Sequence, residues 1–82
     1  MMGRRVPDNT DWSSAVQPGD YWRFEGVWYG ETPNGLTANL SGHTVTEHED
    51  GTITVNPSIL VNRGRPNAWH GFLTKGVWYQ CG

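Results

Sequence analysis

The chain has 82 residues and a formal charge of −2, from six basic and eight acidic side chains. A chain this short forms one thin-cored domain that buries only about 60–65% of the surface its unfolded form exposes. That charge argues against a general grip on duplex nucleic acid; no run approaches the ~20 apolar residues of a membrane helix, and a single cysteine, Cys81, rules out an internal disulfide.

A small domain without disulfides fits a reducing compartment, so a cytoplasmic location is expected. Its core must come from large side chains. Five Trp, three Tyr and two Phe supply them, each able to bury about 150–250 Å².

In chain order, residues 1–18 carry Pro7, Asp8, Asn9, Ser13, Ser14 and Pro18 among scattered apolar positions. They read as a flexible N-terminal arm preceding a β domain over residues 19–82. Asp11 is placed to cap one short helical turn near Asp11–Val16, and Trp12 marks where the arm docks.

Tyr21–Glu25 and Val27–Thr32 are β-rich runs on either side of Gly26, and Pro33-Asn34-Gly35 ends the second. Leu36–Leu40 alternates apolar and polar residues with the period of a half-buried strand. His43–His48 and Thr52–Val55 flank Asp50-Gly51, a strong hairpin signal. Asn56-Pro57-Ser58 then stops the strand, with Pro57 placed to open a helical turn through Leu60.

Asn62–Asn67 reads as a loop. Trp69–Leu73 and Val77–Cys81 form a further hairpin around Thr74-Lys75-Gly76. Gly26-Val27-Trp28-Tyr29 and Gly76-Val77-Trp78-Tyr79 repeat one short pattern, which predicts that both strands follow a turn into similar surroundings. The expected fold is mainly β, a small antiparallel sheet or partly open barrel of about six short strands, with a two-layer sheet carrying one short helix as the competing picture.

Chemistry-bearing residues are sparse. His43, His48, His70 and Cys81 are of metal-ligand type, but a gap of five residues sets His43 and His48 on opposite faces of a strand, which is poor spacing for zinc. No nucleophile elbow surrounds Ser41. Glu47 and Glu49 share a strand face beside a turn, where charge ordinarily keeps the turn solvated. The segment Arg63-Gly64-Arg65-Pro66-Asn67-Ala68-Trp69-His70 is the richest: two guanidinium forks, an indole and an imidazole in eight residues suit a phosphate and a stacked base.

Pro33-Asn34-Gly35, the block from His43 to Leu60, and Trp69-His70-Gly71-Phe72-Leu73 with Gly76-Val77-Trp78 together resemble a family of small proteins from actinobacteria and their bacteriophages for which no activity is established. The resemblance spans about residues 19–81. It implies an accessory protein of phage type in the bacterial cytoplasm, acting by binding, with no functional residue carried over.

The leading expectation is therefore a non-enzymatic, homo-oligomeric binding protein without cofactor or metal. It captures a nucleotide-like anion, such as a defence signal, through Arg63, Arg65, Trp69 and His70, with Trp28 or Trp78 as a stacking surface. The alternative is a module that occludes a host protein with an aromatic face and an acidic hook at Glu47–Asp50. A hydrolase or nuclease using His43, His48 or His70 is the weaker rival.

Overall fold

The structure, a computed structural model, describes residues 1–81. Eight strands and one short helix follow one another as β1 (Arg4–Arg5), α1 (Trp12–Ala15), β2 (Asp20–Phe24), β3 (Val27–Glu31), β4 (Thr37–Asn39), β5 (Thr44–Glu47), β6 (Ile53–Val61), β7 (Trp69–Thr74) and β8 (Val77–Gln80). They form two four-stranded sheets, ordered β1-β2-β3-β4 and β5-β6-β7-β8. The expected mainly β class holds, but with eight strands in two sheets where one small sheet or partly open barrel of about six was expected.

Alternation builds the core. Tyr21, Ala38 and Leu40 turn inward from the first sheet, and Ile53, Val55, Ile59, Trp69, Leu73 and Trp78 from the second. Both repeated Gly-Val-Trp-Tyr runs open strands after hairpin turns with two left-handed residues, Glu25-Gly26 (φ 49° and 79°) and Lys75-Gly76 (φ 47° and 76°). Positive φ at both central positions matches the right-handed twist of the flanking strands. At the Asp50-Gly51 turn only Gly51 is left-handed (φ 86°), while the Asp50 carboxylate accepts from the Thr52 amide and hydroxyl.

Two expectations are corrected. Residues 1–18 are not a free arm: β1 pairs in parallel with β2, Met2 bridges to Val77 on the edge of the second sheet, and Val6 is buried. Asp11 does cap α1, accepting from the Ser13 amide. The helix carries Trp12 onto the outer face of the first sheet, 4.2 Å from the Tyr29 ring centroid and about 5.5 Å from Phe24 and Trp22. Tertiary contacts order a segment whose own composition would leave it loose.

The second correction concerns Pro57. No helical turn forms; β6 runs straight through, because a bulge of two extra residues between Val55 and Ile59 absorbs the proline. An even number of extra residues keeps Val55 and Ile59 on the same inward face.

Candidate functional site

The six residues expected to hold a ligand do not assemble. Trp69 and Trp78 are each 2% exposed, packed edge to face at 5.4 Å in the core, and the Trp78 indole donates to the Gly19 carbonyl. No base can stack on either. β7 alternates, so Trp69 faces in while His70 faces out, where its Nε2 lies 2.9 Å from the Ser58 hydroxyl.

Arg63 and Arg65 are exposed on the Asn62–Asn67 loop. Left-handed Asn62 and Gly64 shape that loop; Asn62 donates to the side chain of Asn67, whose backbone carbonyl accepts from Asn34 in the β3–β4 turn. Among the described residues neither guanidinium has an ion-pair partner or an aromatic ring beneath it.

Trp28 carries a cation pair that sequence reasoning missed. Arg5 and Arg23 sit 4.7 and 5.3 Å from its ring centroid, inside a ring of charges closed by Asp8 and Glu47. Arg5 bonds Asp8 and Glu47 at 3.0 and 2.9 Å, and Arg23 bonds Asp8 at 2.7 Å. No spacing rule links positions 5, 8, 23 and 47. Only their spatial convergence on Trp28 does.

Hydrogen bonds from Arg23 and then Arg5 hold the Asp8 carboxyl below its ordinary value of 3.8. The Thr52 hydroxyl and amide do the same for Asp50. Carboxyls depressed in the folded state stabilise it above their unfolded value and lose that contribution as pH falls through the folded one. The contribution of these two carboxyls is thus expected to be full above about pH 5 and to be lost below about pH 4, so the melting temperature falls there, with a shallower acid decline for Asp8→Asn. A thermal melt series across pH checks this, and identical acid profiles for both proteins would contradict it.

A cleft of about 290 Å³ lies beside Trp28, lined by Gly26, Val27, Leu40, Ser41, His43 and Val45. Trp28 is the one expected ligand residue in it. The adjoining guanidinium groups are already neutralised by Asp8 and Glu47, so the cleft does not suit an anion.

The histidines brace the fold. His43 Nε2 donates to the Ser58 carbonyl at 3.1 Å and His48 Nε2 lies 2.7 Å from the Thr54 hydroxyl; with His70 on the Ser58 hydroxyl, all three bond the bulged strand β6, two of them at Ser58. Among the described residues no three His, Cys, Asp or Glu side chains converge as a metal site.

The two sheets treat their outer faces differently. On the first, the cross-strand pair Trp22 and Tyr29 lies under Trp12, and Trp22 is fully buried. On the second, the matching pair Phe72 and Tyr79 is bare, 40% and 54% exposed, with Leu60 46% exposed one strand over. Strands β6, β7 and β8 contain no Asp, Glu, Lys or Arg. Among the described residues, Glu49, Asp50 and Lys75 lie in the turns at one end of this face and Arg63 and Arg65 in the loop at the other, with Glu47 closing the edge strand β5.

The fold and this surface define a two-sheet β domain with one covered and one open face. Comparison of the chain with protein-family models, with curated proteins and with solved structures gave no match.

Proposed function

We propose that the protein is a non-enzymatic interaction module that binds a protein surface with the outer face of its second sheet. One observation carries this: a charge-free sheet face exposing Leu60, Phe72 and Tyr79, beside a sheet whose equivalent aromatic pair is covered. Interface cores are enriched in aromatic residues and depleted of charge, with polar or charged rims. The resemblance to small proteins of actinobacteria and their bacteriophages supports an accessory role inside a bacterium, where occluding a host protein, one of a defence pathway included, needs only such a face.

Site-specific crosslinking tests it. A photo-reactive phenylalanine analogue at position 72 or 79, in cells, is expected to give discrete protein adducts, and the same analogue at Thr37 on the first sheet is expected to give none. Adducts at Thr37 with none at 72 or 79 would overturn the reading.

A second reading, capture of a nucleotide-like anion, is supported by the two unpaired guanidinium groups on the braced Asn62–Asn67 loop. Such a ligand is gripped by its phosphate, since both nearby indoles are buried. A thermal shift with cyclic or linear nucleotides that disappears in Arg63→Glu/Arg65→Glu is the expected result for that reading, and no shift across the panel removes it.

A further inference from the structure

We infer that the open face of the second sheet is occupied by a second copy of this chain, packed face to face with its strands reversed. This rests on the interaction reading above and names its partner. Three features of the molecule lead to it.

The first is the likeness of the two hairpins. β2–β3 and β7–β8 each turn on two left-handed residues, Glu25-Gly26 and Lys75-Gly76, send a tryptophan inward and set an aromatic pair outward, Trp22 with Tyr29 and Phe72 with Tyr79. The chain covers the first pair with a third aromatic, Trp12. Among the described residues no segment covers the second, and a second Phe72–Tyr79 pair supplies the same aromatic chemistry as the cover on the first.

The second is charge. β6 is nine residues long, which separates its ends by about 27 Å. Glu49 and Asp50 outnumber Lys75 in the turns at the start, where Arg5, Asp8, Arg23 and Glu47 pair among themselves and the Met1 amino group donates to the Trp78 carbonyl; Arg63 and Arg65 stand without partners at the far end. The face is thus a ladder of uncharged residues between an acidic and a basic end. A two-fold axis in the plane of contact, perpendicular to the strands, brings each basic loop over the other copy's acidic turn and satisfies both ends at once. Keeping the strands parallel instead sets arginines against arginines.

The third is size. Four strands about 4.8 Å apart and six residues at about 3.3 Å each give roughly 400 Å² per copy. Two such faces bury about 800 Å² in all, below the range of stable specific interfaces and within that of weak, transient ones. The dimer is therefore proposed as a weak, concentration-dependent one in which screening of the end charges is measurable.

Sedimentation velocity on the full chain from about 1 to 500 µM tests the proposal. A reversible monomer–dimer equilibrium is expected, weakened at least threefold between 0.05 and 0.5 M NaCl. Phe72→Glu should leave a folded monomer at every concentration. Arg63→Glu/Arg65→Glu alone and Glu49→Arg alone should each weaken the dimer about tenfold, and an equimolar mixture of the two should restore association as a heterodimer.

A dimer that tightens with salt, or survives Phe72→Glu with unchanged affinity, overturns the arrangement. A chain monomeric at all concentrations overturns the inference as well; if position 72 still crosslinks to another protein, the interaction reading stands without it. With neither dimer nor crosslink at 72, both fail.

Discussion

Gly71→Ala is expected to leave little folded protein at 37 °C. Gly71 faces inward on β7 between Trp69 and Leu73, and a Cβ there stands 2.5 Å from the Trp69 indole and overlaps the Tyr79 carbonyl of β8. Neither neighbour can yield, because the indole is buried against Trp78 and the carbonyl belongs to the adjoining strand backbone. Overpacking of this kind costs about 1–3 kcal/mol and more where backbone must move. For a domain of this size each kcal/mol lowers the melting temperature by about 4–8 °C, so a drop above about 12 °C is expected. Gly42→Ala is the control: a Cβ there meets nothing within 4 Å, and calorimetry should find a change under about 2 °C. Equal melting temperatures for the two variants would contradict the packing described.

Trp12→Ala has the second largest expected effect. Its ring lies against Trp22, Phe24 and Tyr29, and removing it uncovers the outer face of the first sheet. Truncating a large aromatic costs about 3–5 kcal/mol at a fully buried site. Trp12 is half-buried, so about 2–3 kcal/mol is expected. The variant should also show a red-shifted tryptophan emission as Trp22 meets water. An unchanged melting temperature would contradict the packing of Trp12 on the first sheet. A second consequence follows from the likeness of the hairpins: Trp12→Ala bares a Trp22–Tyr29 pair and should add a second route to self-association.

Much of the fold was legible because it is written in local chemistry. Gly26 and Thr74-Lys75-Gly76 announce turns, alternation in Leu36–Leu40 announces the half-buried strand β4, and Asp11 announces α1. What escaped depends on contacts distant in sequence. Nothing near Arg5 or Val6 signals that they reach Glu47 or lie beneath the body, and Pro57 halts a strand by every local rule until a bulge lets β6 pass it. The functional residues divide in the same way. Arg63 and Arg65 stood out as a cation-rich loop and do lie free on the surface. Trp69 and Trp78 stood out as aromatic and are core, because alternation places them inward. Phe72, Tyr79 and Leu60 drew no notice as single apolar residues; the signal available was the absence of charge from the three strand segments β6, β7 and β8, which the repeated Gly-Val-Trp-Tyr pattern would have sharpened.

Side-chain accessibility measured in the cell and in dilute solution bears most directly on the second sheet as the contact surface. Hydroxyl-radical footprinting reads Phe, Tyr, Trp and Met side chains together. Phe72 and Tyr79 should react strongly in the dilute purified protein and be protected several-fold in cells, while half-buried Phe24 and Tyr29 keep one low reactivity in both. Equal reactivity of Phe72 and Tyr79 in the two settings would mean that this face meets water alone, contradicting the account.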